Sequence, residues 1–164
     1  MTKLDDLDVA LVRLLTEHPR LSTLECARRL EVARGTVTSR LARLHEAGVI
    51  TGIVPQVDPG AFGYDLIAFC RLEIDQQIGH EDVAQALAES LPEIIDMYTV
   101  TGSSDMQLRV VAPGARALQD VLDRINRVPG VARTDSSIAM HTHLSGRILP
   151  LLDAAAAQRR PGPD

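Results

Sequence analysis

The sequence predicts an α+β protein in two parts, three helices followed by an antiparallel sheet in the order βαββαβ. Three observations carry this expectation. Up to about residue 47 the apolar residues recur at helical spacing. From residue 66 onward, segments that alternate with a period of two take turns with segments of helical spacing. Between the two regions, Asp58-Pro59-Gly60 punctuates the chain as a turn.

The first helix is expected to open on Asp5-Asp6-Leu7-Asp8, whose charges complement a helix N-terminus. Leu4, Leu7, Leu11, Leu14 and Leu15 form its apolar stripe, and His18-Pro19 ends it. Ser22 is a natural N-cap, and Glu25 three residues on completes a capping box, so a second helix should start at Thr23. Leu24, Ala27 and Leu30 keep its helical spacing, and the turn falls at Glu31-Val32-Ala33. In the third helix Val37, Leu41 and Leu44 form the inward stripe. The opposite stripe carries Thr36, Ser39, Arg40 and Arg43, with Arg34 and Thr38 near the helix start. Gly48 supplies the stop, and residues 49–57 are an extended connector holding Pro55.

In the second part, Leu66, Ala68, Cys70, Leu72 and Ile74 alternate with Ile67, Phe69, Arg71, Glu73 and Asp75, as a strand requires. Residues 80–91 read as a helix facing inward through Val83, Leu87 and Leu91 or through Ala84 and Ala88, stopped by Pro92. Residues 94–101 and 105–112 are two short strands joined across Thr101-Gly102-Ser103-Ser104-Asp105. Leu118, Val121, Leu122, Ile125 and Val128 define a last helix, and residues 131–144 a long final strand. This order implies a ferredoxin-like split βαβ with both helices on one face of the sheet. The other face would carry Ile67, Phe69, Val111 and Ala139, too apolar to leave fully wet, so sheet-to-sheet homodimerisation is expected.

The first part reads as a helix-turn-helix of the winged kind, a device that lays its second helix in a DNA major groove. An outward arginine stripe is also what any solvated helix presents, and local charge separates the two readings. Residues 20–44 hold six arginines against Glu25 and Glu31, whereas the 164-residue chain has a net charge of -5. A basic island on an acidic protein suits phosphate contact, and arginine suits bidentate contact with guanine or phosphate. The expected DNA-contacting set is Ser22, Thr23, Arg34, Thr36, Thr38, Ser39, Arg40 and Arg43. Of these, Arg34, Thr36 and Thr38 are placed for base edges, and Arg40 and Arg43 for phosphate. With dimerisation, two such units would read the half-sites of a pseudo-palindrome.

The remaining features are quieter. Cys26 and Cys70 lack CxxC partners and read as buried free thiols in a reducing cytoplasm. No apolar run reaches the length of a membrane span, and the acidic start lacks a signal-peptide pattern. His141 and His143 would share one strand face but lack further ligands, so they read as surface histidines and no metal is expected. There is no nucleophile elbow and no phosphate loop, so neither an enzyme nor a cofactor is expected. On spacing alone, TGSSD is best read as a hairpin turn in which Asp105 bonds nearby backbone. It also has the makings of a ligand site, with N–H groups of Gly102 to Ser104 for a carboxylate and Asp105 for an ammonium. The domain division read from these signals is a DNA-binding domain over 1–50 and a linker or connecting strand over 51–62. A sheet domain over 63–149 and a frayed Ala-rich tail over 150–164 complete it.

Several segments together carry a family resemblance: LDDLDVALVRLL at the start, RLARLHEAGVITG closing the helix-turn-helix, VDPGAFG, VTGSSD, and PGVARTDSSI before the final strand end. Over about residues 4–144 the chain resembles the Lrp/AsnC family of bacterial and archaeal feast/famine transcription regulators. The resemblance implies a C-terminal domain that dimerises, assembles further, often to octamers, and binds an amino acid or similar small molecule between subunits. It turns TGSSD into an expected effector site of Thr101, Gly102, Ser103, Ser104 and Asp105, with Ser137 and Ile138 as walls. The chain departs from the family pattern in four places. Ala33 stands where a serine commonly caps the recognition helix, and Glu31 where glycine is frequent in the turn. Ser104 falls in a loop that is often Gly-x-aromatic-Asp, and Ser137 stands where a tyrosine is frequent. Two serines in place of large side chains imply a roomier or more polar pocket, so the effector need not be leucine. Two other classes share the architecture: haem-biosynthesis decarboxylases, and ligand sensors that no longer bind DNA. The first would leave the basic face without a purpose, and only the uncapped Ala33 supports the second.

Overall fold

The computed structural model describes residues 4–75 and 77–157. They fall into two compact units, one drawn from the segments up to Pro55 and from Leu144 on, the other running from Gln56 to His143.

The first unit begins with α1 (Asp6–Glu17), α2 (Thr23–Arg29) and α3 (Arg34–Glu46). Asp5 caps α1 by accepting from the Asp8 N–H at 2.9 Å, and the Asp8 carboxylate accepts from the Asp5 N–H at 3.0 Å. The expected Ser22–Glu25 box closes on α2 in the same way. At α3 the Ala33 side chain makes no capping bond. Glu31 takes a left-handed backbone with φ 54°. The turn therefore keeps the geometry that glycine would adopt at lower cost. Leu11, Cys26, Ala27, Val37 and Leu44 are buried together as the core, with Leu30 and Leu41 half-buried against it. Leu24 departs from the expected stripe and is 44% exposed. In a seven-residue helix only one face turns inward, and Cys26 with Ala27 takes it.

A further helix, α6 (Leu149–Ala157), replaces the frayed tail expected over 150–164. It packs on α1, with an ion pair between Arg13 and Asp153. Leu149, Leu152, Ala155 and Ala156 are its half-buried residues, and their spacing is helical. Residues 158–164, the rest of that expected tail, lie outside the described residues.

The second unit contains β1 (Leu66–Ile74), α4 (His80–Ser90), β2 (Ile94–Thr99), β3 (Met106–Ala112), α5 (Ala115–Asn126) and β4 (Val131–Ile138). The strands lie in the order β2-β3-β1-β4, and every neighbouring pair is antiparallel, the ferredoxin-like arrangement. One face of β1 and β3 (Ala68, Cys70, Leu72, Leu108, Val110) packs with Val83 and Leu87 of α4 and Leu118, Val121 and Ile125 of α5. Of the two faces offered for α4, the Val83–Leu87–Leu91 face is the buried one. Burial pushes the Cys70 thiol up to about 11 and raises that of Cys26, and both cysteines are free.

The final strand stops at Ile138, six residues before the expected end, after Ala139 donates to the Ile67 carbonyl at 2.8 Å. His141 and His143 therefore lie beyond the sheet, with their rings edge to face 4.6 Å apart. The connector over 49–57 pairs with no described residue as a strand, and a 3₁₀ turn at Pro59–Phe62 follows it. A ladder needs a second strand, and none of the described residues offers one. No helix among the described residues is long and apolar enough to cross a membrane.

Candidate functional site

The first site is the outer face of α3. Val37 and Leu44 fix its rotation by being buried, which turns Thr38, Ser39 and Arg43 outward. Arg34, at the helix start, is exposed and makes no ion pair with any described residue. Thr38 donates its hydroxyl to the Arg34 carbonyl at 3.1 Å, and Ser39 to the Thr36 carbonyl at 3.0 Å. Both therefore present oxygen lone pairs to the outside, as acceptors. Ser22 and Thr23 sit at the start of α2, with the Ser22 hydroxyl on Glu25 at 2.7 Å.

Arg40 and Arg43 are not the free cations that their place on the polar stripe implied. Arg40 Nη1 donates to Asp5 Oδ1 at 2.6 Å and to Asp8 Oδ1 at 2.9 Å. Arg43 Nη2 donates to Asp8 Oδ2. The Asp8 side chain is fully buried, while those of Arg40, Arg43 and Asp5 are 25%, 43% and 55% exposed. Both oxygens of Asp8 are thus engaged, by two guanidinium groups and one backbone N–H. The hydrogen bond from Arg40 holds the Asp5 carboxyl below the usual aspartate range, and the two aspartates raise Arg40. The missed signal is spacing. Asp5, the N-cap, and Asp8 stand three apart at the start of α1, as Arg40 and Arg43 do on α3, so two packed helices can match them pair to pair. An open cleft lined by Asp5, Gly35, Thr36, Ser39, Arg40 and Arg43 marks this spot on the outer face.

The second site lies at one end of the sheet face that carries no helix. The register sets Ile67 opposite Val111, and Phe69 between Ser137 and Arg109, so this end of the face is apolar around Ile67 and Val111 and mixed around Phe69. Two residues along, Arg71 meets Asp135 and Glu73 meets Arg133, so the other end is charged. Arg71 pairs with Asp135, and Arg133 lies 3.5 Å from Glu73. These four residues and Ser103 and Ser104 of the β2–β3 loop line a cleft of about 220 Å³. That is smaller than the ~300–1,000 Å³ of a drug-sized pocket and of a scale for a metabolite. The four charged residues were not among the expected effector contacts. Their alternation with Phe69 on β1 and Ser137 on β4 was the signal that could have found them.

The loop itself is built by a left-handed Gly102 with φ 123°, and no described residue accepts from the N–H groups of Gly102, Ser103 or Ser104. Asp105 has a definite structural task. Its N–H donates to the Leu72 carbonyl at 2.8 Å, and its Oδ2 accepts from the Ile74 N–H at 2.7 Å, extending the β1–β3 ladder. Its Oδ1 lies 3.8 Å from His80 Nε2. Thr101 is exposed beside it. Ser137 and Ile138 cannot both wall one pocket, because successive strand residues point to opposite faces. Ser137 stands on the open face opposite Phe69, whereas Ile138 pairs with Ala68 and belongs to the helix-covered side.

Comparison with known proteins places both units. The family model for the Lrp/AsnC ligand binding domain matches residues 67–149, and one for winged helix-turn-helix DNA-binding matches residues 4–51. The HTH-type transcriptional regulator LrpA of Mycobacterium tuberculosis is 37% identical over 145 residues, covering 88% of this chain and 95% of that protein. A feast or famine regulatory protein of M. tuberculosis, solved in complex with L-methionine, superposes with a TM-score of 0.79 at 34% identity. It covers 88% of this chain and 97% of its own. E. coli AsnC gives a TM-score of 0.78 at 28% identity, over 91% of this chain and all of its own (100%).

Proposed function

Since this chain belongs to the Lrp/AsnC family of transcriptional regulators, we propose that its operator binding and assembly respond to an amino acid held at the charged cleft. The observation that carries this reading is the composition of that cleft. Arg71 and Arg133 supply cations for a carboxylate, and Glu73 and Asp135 supply anions for an ammonium. Ser103 and Ser104 line it too, and their N–H groups, like that of Gly102 beside them, are unpaired among the described residues. Those are the two ends of an amino acid, and the methionine-bound relative is a protein that takes such a ligand. The cleft is open on one side, and a second copy of the chain laid on the uncovered sheet face would close it. Phe69, 40% exposed, and Tyr98, 59% exposed, stand on that face. Both would be buried in the contact, which removes an apolar patch from water.

DNA is read by α3 in this proposal, with Arg34, Thr36, Thr38 and Ser39 toward base edges and Arg43, Ser22 and Thr23 toward the backbone. The homodimer brings two such helices to the half-sites of one cytoplasmic operator. The proposal extends to larger assembly of such dimers, up to an octamer. Coupling is reciprocal: operator DNA changes the affinity for the amino acid by the factor that the amino acid changes affinity for DNA.

A thermal-shift screen of the twenty amino acids tests the effector. A ligand at ~100 times its Kd adds ~2.7 kcal/mol of apparent stability. Calorimetry with the best ligand should then show Asp135→Asn binding at least tenfold more weakly, while Asp105→Asn, which keeps the acceptor for Ile74, stays folded. No shift with any amino acid, or an Asp135→Asn variant that binds as well as the parent, would sink the amino-acid reading.

A further inference from the structure

Resting on the DNA-binding reading above, we propose that Asp5 is a specificity-setting residue that holds the Arg40 guanidinium on α1 and withholds it from sequence-blind contact with phosphate. The two aspartates of the cluster differ in role. Asp8 is fully buried with both oxygens engaged, so it belongs to the architecture of the α1–α3 contact. Asp5 is more than half exposed and sits on the lip of the cleft on the outer face of α3. Its carboxylate binds the Arg40 Nη1 at 2.6 Å, alongside Asp8 Oδ1 at 2.9 Å, in a cleft where a DNA phosphate would seek that cation. The cleft floor is free to admit one, since a Cβ built on Gly35 meets nothing within 4 Å.

The electrostatic consequence follows from placement. Counted along residues 20–44, α2 and α3 carry a surplus of four positive charges. Folding brings two carboxylates of α1 against α3 and halves that surplus. Phosphate contacts strengthen binding to every sequence alike, whereas base contacts discriminate. A carboxylate that sequesters one phosphate-seeking arginine therefore lowers affinity for all DNA and raises the share of binding set by Arg34, Thr36 and Thr38. Asp5 does this while capping α1, and asparagine caps as well as aspartate does. The charge can thus be removed with the helix start kept.

The test uses the full chain, a random-sequence duplex pool, and the duplex that the parent protein selects from that pool. Asp5→Asn should bind the random pool more tightly, with a salt slope steeper by ~0.9, one phosphate's worth. From 50 to 200 mM salt that is roughly 3.5-fold more loss of affinity than the parent shows. The ratio of selected to random affinity should fall, and adding Arg40→Ala should cancel the gain. Asp5→Ser, a second capping residue, gives the same result if asparagine disturbs the fold. Glu46→Gln, which removes one charge from the far end of α3, should leave the slope unchanged. An Asp5→Asn slope and affinity equal to or below the parent's, or an equal gain from Glu46→Gln, overturns the proposal. A parent that shows no salt-dependent binding to either duplex instead overturns the DNA-binding reading itself.

Discussion

Replacing Asp8 by asparagine should destabilise the first unit selectively. The Asp8 carboxylate is fully buried and receives Arg40, Arg43 and the Asp5 N–H. Removing one partner of a buried ion pair costs ~3–5 kcal/mol, mostly because the other charge is left uncompensated. Here the side chains of Arg40 and Arg43 are 25% and 43% exposed, so they can partly rehydrate. Asparagine also keeps one acceptor oxygen. The expected loss is therefore about 2–3 kcal/mol, a large share of the ~5–15 kcal/mol that holds a typical domain. The chain makes the assay separable, because it has no tryptophan and its two tyrosines, Tyr64 and Tyr98, both lie in the second unit. Tyrosine fluorescence thus follows the sheet unit, while ellipticity at 222 nm draws its larger share from α1, α2, α3 and α6 and the rest from α4 and α5. In urea at fixed protein concentration, with m about 1.5 kcal/mol/M, the larger ellipticity phase should shift down by roughly 1.3–2 M while the tyrosine midpoint holds. A loss under about 0.5 kcal/mol would refute the account of Asp8 as a buried clamp. Equal shifts in both signals would refute the independence of the two units.

Gly130→Ala should destabilise the second unit by about 2–4 kcal/mol, from left-handed strain added to overpacking. Its φ is 93°, and a Cβ there would stand 2.7 Å from Val83 Cγ2, so tyrosine-detected urea unfolding should report the loss. Ala33→Ser should restore the cap that α3 lacks. The ellipticity midpoint should then rise by an amount equal to about 1 kcal/mol. Acid should weaken the first unit through Asp5. Its folded pKa lies below its ordinary value of 3.8. Its contribution is therefore complete above that value and disappears as pH falls through the lower one. An ellipticity titration started at the ordinary value and carried downward should show this leg in the parent and lose it in Asp5→Asn.

Periodicity and punctuation were enough to read most of the fold. Ser22 with Glu25, Gly48, Pro92 and the alternation from Leu66 to Ile74 are local signals, and each marks a boundary or a face within a residue or two of where the structure has it. The errors fall where a local signal competes with a distant partner. Leu24 has core character but sits off the single inward face of a short helix. Residues 149–157 have the spacing of a helix, but their composition also suits a loose tail. What decides between the two is the side of α1 on which they pack, which no local pattern encodes. The final strand ends with Ile138 opposite Ala68 and one further bond from Ala139 to the Ile67 carbonyl, and no local pattern in residues 139–144 marks that end.

The sites were less legible, and for one physical reason. Charge along a chain is a sum, but charge at a surface is a set of pairings. Arg40 and Arg43 add to a basic stripe in sequence, yet in space they meet Asp5 and Asp8 from more than thirty residues away, and Arg34 is left exposed with no ion pair to a described residue. The same holds in the sheet unit. Arg71, Glu73, Arg133 and Asp135 are an ordinary scatter of charges until the β1–β4 register sets them in two opposed pairs beside the TGSSD loop. Asp105 shows the converse, a residue singled out for ligand chemistry whose carboxylate also closes the ladder through Ile74. A residue with two tasks cannot be tested by deletion to alanine, because the ladder and the ligand would fail together. Only Asp105→Asn, which preserves the acceptor and removes the charge, separates the structural task from the recognition task.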